Sequence, residues 1–190
     1  DLAMNRISVQ RQHNFNFPIS VNVSADNISS LQLPEVLEKK IRTYDLDPSL
    51  LTIEVTESAL MGELVTSLDI LTRLRMKGFA LSIDDFGTGF SSLSQLHKVP
   101  FNELKIDMSF VMEMDKDDEA KAIVKTCIVL GRELKMKVVA EGVESAIILD
   151  MLMEMGCDAA QGYHIARPLS EDDFQRWIEI NASESICTDN

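Results

Sequence analysis

Seven carboxylates and one ammonium stand at corresponding places in successive short apolar runs of this 190-residue chain. Glu54 and Glu57 lie in "TIEVTES", and Asp84 and Asp85 in "LSIDDFGTGF". Lys105 and Asp107 lie in "ELKIDMSF", and Glu141 and Glu144 in "VVAEGVES". Carboxylates a few ångströms apart cannot all ionise unless cations balance them. An oxygen-rich set with no His or Cys at ligand spacing selects hard ions, Mg²⁺ or Mn²⁺. The Asp84–Asp85 pair would serve two ions, which at about 3.5–4 Å apart clamp the attacking and leaving oxygens of a phosphoryl displacement. In that chemistry Lys105 holds a water or neutralises a phosphate oxygen, and Glu141 takes a proton from the attacking water. The glycines and hydroxyls from Phe86 to Ser92 form a loop whose backbone N–H groups can touch phosphate.

Each fragment alone has an ordinary reading. A lone Asp-Asp ahead of a glycine is a solvated turn. A lone Glu-x-x-Glu is a helix face, although "TIEVT" is too β-branched to suit one. Gln161 in "QGY" reads equally as a satisfied core amide or a ligand contact. His13, His97 and His164 have no ligand spacing and read as surface or core histidines, and the ten methionines read as core filler. The case for a site rests on the conjunction at successive strand ends.

Those ends must be positioned by a scaffold. β-branched runs start near residues 19, 50, 79, 103, 137 and 159. Helical patterns lie between them, at 34–44, 63–78, 118–136, 146–156 and 170–180. Pro34 opens the first of these, Gly78 and Gly156 close two others, and Leu64, Leu68, Leu71 and Leu74 mark the buried face of 63–78. Strand–helix alternation means a parallel sheet, either doubly wound or closed as a barrel. The polar strand ends are Asn22, Glu54, Glu57, Asp84, Asp85, Lys105, Asp107, Glu141, Glu144 and Gln161. A doubly wound sheet draws ligands from two or three strands at one switch point, whereas a barrel draws them from every strand at its C-terminal mouth. Six contributing strands favour an α/β barrel of the (βα)8 type with about six of its eight strands in this chain.

Net charge is −13, which disfavours nucleic-acid polymers and anionic membrane surfaces, and 45% of residues are apolar, enough for one domain. No apolar run of ~18 residues predicts a membrane span, and "DLAMNRISVQRQ" lacks the features of a signal peptide. Cys127, Cys157 and Cys187 have no Cys-x-x-Cys spacing and read as reduced thiols of a cytoplasmic protein.

"SVNVS", "IEVTES", "DDFGTGFSSL", "LKIDMSFV", "VVAEGVES" and "GCDAAQGYHIARPL", in this order, resemble the EAL-domain phosphodiesterases of bacteria. The resemblance covers residues 1–180, with 181–190 expected as a flexible tail. It implies a modified (βα)8 barrel that uses Mg²⁺ or Mn²⁺, as two ions, to hydrolyse cyclic di-GMP to the linear dinucleotide. It assigns Asn22, Glu54, Asp84 and Asp85 to the metals, Lys105 to the catalytic water and Glu141 to general-base work. It assigns Glu57 to holding the loop of Phe86, Gly87, Thr88 and Gly89, in which Phe90 stands where many relatives have Tyr. Asp107 and Glu144 fall near the site, and Gln161 on the substrate.

The family's signature Glu-Ala-Leu, a metal-binding glutamate included, belongs on a strand before "VNVS", and the chain opens in the helix between the two. Glu35-Val36-Leu37 is not that signature, because it follows Pro34 on a helix and comes after the asparagine strand. The expectation is that the parent protein supplies the missing strands upstream, or that self-association covers the open edges. "RLRMKGFALSIDDFGTG" and "PFNELKID" also resemble members joined to a receiver domain, and a homodimer is possible. Two other functions compete. One is a receptor that binds cyclic di-GMP without cleaving it. The other is an enolase-like barrel with Lys105 as proton-abstracting base, against which Asn22 and the glycine loop argue.

Overall fold

The protein is described by a computed structural model over residues 1–13, 15–61, 64–89, 96 and 98–185. Phe90 to Ser92 of the expected loop, His97 and Cys187 lie outside these residues. The strands are β1 (Ile19–Asn22), β2 (Leu51–Thr56), β3 (Ala80–Phe86), β4 (Glu103–Ile106), β5 (Lys137–Ala140) and β6 (Ala159–Ala160). The helices are α1 (Leu2–Gln12), α2 (Ala25–Ile28), α3 (Leu33–Thr43), α4 (Leu64–Met76), α5 (Met108–Glu113), α6 (Asp118–Glu133), α7 (Ala146–Met155) and α8 (Glu171–Ser185).

All strand pairs are parallel and the sheet order is β1-β2-β3-β4-β5-β6. A doubly wound sheet reverses its strand order at a switch point, and this sheet never does. Every crossover steps the same way round, so the six strands form an arc of a (βα)8-type barrel. Among the described residues β1 and β6 are the two ends of the arc.

Strand alternation divides the sheet's two faces. Ile53, Val55, Leu81, Ile83, Leu104, Ile106, Val138 and Ala140 point outward into one apolar cluster with Ile70, Leu71 and Leu74 of α4, Val124 and Ile128 of α6, and Ile148 and Leu152 of α7. The other face is polar: Thr52, Glu54, Ser82, Asp84 and Lys105 are buried there. The hydrophobic driving force therefore fixes helices to the outside of the sheet, and the curl of the strands shelters the acids within.

Local signals set most element ends. Ser24, Asp107, Asp117 and Ser145 each cap a helix by accepting a backbone N–H. Gly156 closes α7 in the left-handed conformation, φ 73°. The buried stripe of α4 is Ser67, Ile70, Leu71 and Leu74, and Leu68 packs against it partly covered, so the expected leucine face is buried at these positions with Ser67 and Ile70 added. α8 continues past the expected end at residue 180 to Ser185, since nothing in "NASES" stops a helix; Asn181 donates to the Trp177 carbonyl at 2.7 Å. β6 is two residues long, where a run over 159–165 was expected. The chain crosses over the β5 loop at that point: a Cβ on Gly162 would lie 2.2 Å from the Val143 carbonyl oxygen.

Cys127 is buried, and burial pushes its thiol up to about 11. His13 and His164 are exposed. Methionines divide between core positions (Met4, Met114, Met136) and exposed ones (Met76, Met108, Met153), so they are core filler only in part. No helix among the described residues is long and apolar enough to cross a membrane.

Candidate metal centre

β2, β3, β4 and β5 each deliver one side chain to a single point on the polar face. Lys105 Nζ lies 3.2 Å from Glu54 Oε1, 3.1 Å from Asp84 Oδ1 and 2.6 Å from Glu141 Oε1. All four side chains are at most 15% exposed. Burial alone would lower the Lys105 ammonium, but its hydrogen bond to Glu141 and the charges of Glu141, Glu54 and Asp84 outweigh burial and raise it. Three carboxylates within 3.2 Å favour the ammonium form of Lys105, which suits a counter-ion better than the proton-abstracting lysine of the enolase-like reading. Burial lifts the Glu141 carboxyl; Lys105 pulls it back, while Asp84 and Glu54 push it up again, and the net direction is upward.

Adjacent residues of a regular strand face opposite sides, so Asp84 and Asp85 should not share a site. The backbone solves this with a bulge. Ile83 pairs with Leu104 and Phe86 with Ile106, which leaves one extra residue on β3. Asp85 takes up the excess at φ 56°, in the left-handed region that Asp tolerates better than most residues. This turns its carboxylate to the side of Asp84. Asp84, Asp85 and Glu141 can each present an oxygen within 4.8 Å of the others. Burial, then the charges of Asp84 and Asp107, raise the Asp85 carboxyl. A cluster of four acids against one ammonium is short of positive charge, and its all-oxygen donor set suits a hard divalent ion.

The remaining predicted residues sit around this point in distinct ways. Asn22 ends β1 in register with Glu54, and its side chain is exposed. Glu57, 3% exposed, accepts the Gly87 and Gly89 N–H groups, each at 3.1 Å, through Oε2. A Cβ on Gly89 would stand 2.8 Å from the Glu57 carboxyl carbon, so a larger residue there would have to push that carboxyl aside. Phe86 ends β3, and the Thr88 hydroxyl donates to the Asp85 carbonyl at 2.9 Å. Gln161 Nε2 donates to Glu141 Oε1 at 2.6 Å.

Two further expected members sit at the edge of the cluster. Asp107 lies beyond the end of β4 and caps α5, accepting the Ser109 N–H at 2.9 Å and the Ser109 hydroxyl. Its carboxyl also meets that of Asp85, by a side-chain hydrogen bond as well as by charge. Glu144 is exposed on the rim of a cavity of about 430 Å³ beside Glu141. Gln161, Tyr163 and Arg167 also line this cavity, and the Arg167 guanidinium lies 4.6 Å over the Tyr163 ring. The sequence reading passed over Tyr163 and Arg167; their four-residue spacing just after the Gln161 strand end was the available signal. Ser82 was also missed. Its buried hydroxyl, with no partner among the described residues, lies on the Asp84 face in register with Glu54.

The chain is 36% identical over 178 residues to the signaling protein YkoW of Bacillus subtilis, covering 94% of this chain and 22% of that protein. It is 37% identical over 156 residues to the cyclic di-GMP phosphodiesterase RocR of Pseudomonas aeruginosa, covering 82% of this chain and 40% of that protein. The chain thus spans less than half the length of either. The structure of the PaMucR phosphodiesterase in complex with c-di-GMP superposes with a TM-score of 0.87 at 37% identity, over 91% of this chain and 70% of that one. The EAL domain family model matches residues 2–168. With the strand order, the acidic cluster and the sequence match in agreement, the chain belongs to the EAL domain family.

Proposed function

We propose that this domain is a divalent-metal-dependent phosphodiesterase that hydrolyses cyclic di-GMP to its linear dinucleotide. The observation that carries the reading is the turned carboxylate of Asp85, which joins Asp84 and Glu141 in one oxygen cluster beside Lys105. Backbone strain at a carboxylate that its neighbours repel has no structural benefit and is typical of functional positions. The named activities of RocR and PaMucR supply the substrate class.

Asn22, Glu54, Asp84 and Asp85 would hold two Mg²⁺ or Mn²⁺ ions. The ions supply Lewis-acid activation of water and neutralise charge on the phosphoryl group. Glu141 takes the proton of the attacking water, and the burial that raises its carboxyl makes it a stronger base. Two donors already occupy its Oε1, which leaves Oε2 for the proton. The water oxygen bonds to phosphorus, the ribose 3′-oxygen leaves, and a proton returns to that oxygen. Lys105 faces the charge that develops on the phosphoryl oxygens. Gln161 orients Glu141 and contacts the substrate, Glu57 fixes the Gly87–Gly89 loop, and Asp107 and Glu144 shape the surroundings. The domain would work in the bacterial cytoplasm, joined to the upstream remainder of its protein and to a sensor such as a receiver domain. The greater length of its relatives supports this arrangement.

Chromatography of cyclic di-GMP incubated with chelator-stripped and Mn²⁺-loaded protein tests the reading. Linear dinucleotide should form only with Mn²⁺. Binding without any product in a protein that carries the upstream strands would select the receptor function instead.

A further inference from the structure

We infer that Lys105 is the resident counter-ion of the metal-free site, and that divalent cations must compete with it for Glu54 and Asp84. The inference rests on the metal reading above and adds a role that this reading does not contain. Among the described residues Lys105 is the one buried basic side chain, and it touches three of the four clustered acids. Unpaired carboxylates in so sheltered a place would be strongly destabilising. The metal-free barrel mouth is therefore held together by the ammonium.

The contacts are unequal. Lys105 sits 2.6 Å from Glu141 but 3.1 Å from Asp84 and 3.2 Å from Glu54. Glu141 is also pinned by Gln161, whereas Asp84 has the Asp85 carboxyl beside it. An incoming ion therefore meets least resistance at Asp84 and Glu54. Lys105 can yield those two oxygens and keep Glu141, so loading needs no movement of the proposed base. The same competition makes the site bind cations more weakly than four bare acids would. Cation occupancy then varies with cation supply, and the domain stays folded when it is empty.

The test uses Mn²⁺ as probe on the chain extended upstream through the strands that the family resemblance calls for, with Lys105→Met compared to wild type by calorimetric titration and by melting in chelator and in saturating Mn²⁺. Lys105→Met should bind Mn²⁺ on the order of tenfold more tightly. It should melt about 10 °C lower in chelator and recover most of that loss in Mn²⁺. Equal or weaker Mn²⁺ binding, or the same melting loss with and without Mn²⁺, would overturn the inference. If Lys105→Met does not fold in chelator, the Lys105→Met/Glu54→Gln double variant restores the wild-type formal charge of the cluster. Recovery of a cooperative melt in chelator then supports the counter-ion role, and continued failure overturns it. A wild-type chain that binds no Mn²⁺ defeats the metal reading and this inference together. Wild-type binding without tightening in Lys105→Met defeats this inference alone.

Discussion

Gln161 donates to the same Glu141 oxygen that takes the Lys105 ammonium, each at 2.6 Å. Two donors on one carboxylate oxygen fix the rotation of the whole group. The general-base assignment thereby acquires a geometric basis: β5 supplies the carboxylate, β4 the cation, and the turn after β6 the amide.

The first prediction follows from that shared oxygen. Gln161→Leu removes one donor and leaves Lys105 in place. A hydrogen bond to a charged group is worth about 1.5–3 kcal/mol, so kcat for cyclic di-GMP should fall roughly tenfold to a hundredfold. Steady-state kinetics measures this, and unchanged kcat would show that Gln161 does not orient Glu141.

Glu57 carries the second. Its buried carboxylate is the acceptor for the Gly87 and Gly89 N–H groups. Glu57→Leu leaves those groups without that acceptor, at a cost of about 2–3 kcal/mol of stability. Hydrogen exchange should accelerate at Gly87 and Gly89. Gly89→Ala should do the same from the other side, because its Cβ would press on the Glu57 carboxyl.

Asp85 gives a pH-dependent prediction. Its carboxyl is raised in the fold by burial and by the charges of Asp84 and Asp107. A carboxyl with a raised folded-state pKa binds its proton more tightly when folded. Its destabilising effect is therefore absent below the ordinary Asp range. It grows as pH rises from there through the raised folded value. Asp85→Asn keeps a residue that tolerates φ 56° and removes the charge. In chelator the variant should melt close to wild type at low pH and above it at neutral pH. Saturating Mn²⁺ should reverse the order, since the variant loses a ligand. An advantage independent of pH would contradict this account.

How far the sequence alone reaches is clearest at these residues. Glu54, Asp84, Lys105 and Glu141 could be found because each ends a β-branched run, and a sheet in chain order brings such ends to one mouth. That Asp84 and Asp85 share one site was legible in the pair itself, but the one-residue bulge that turns Asp85 leaves no mark in composition. Asp107 looked like a strand end, yet an Asp-x-Ser step offers the backbone a cap that ends the ladder first. The brevity of β6 depends on Gly162 passing over Val143, a contact between segments distant in sequence.

That crossing supports a further prediction. Gly162→Ala would drive its Cβ into the Val143 backbone, 2.2 Å from the carbonyl oxygen and 2.3 Å from the nitrogen. Backbone cannot yield as a flexible side chain does, so unfolding free energy should drop by about 3 kcal/mol. Urea denaturation measures this, and a loss under about 0.5 kcal/mol would mean the two segments separate easily.

Cyclic di-GMP turnover in Mn²⁺ by wild type and by Glu141→Ala tests the central claim most directly. It should be run on this chain and on a chain extended upstream through the strands that the family resemblance calls for. The account predicts turnover by the extended wild type and its abolition by chelator. It also predicts a loss of at least roughly a hundredfold in Glu141→Ala, in which the ligand still binds. Ligand binding with no turnover by the extended wild type, or turnover that Glu141→Ala leaves intact, would contradict it.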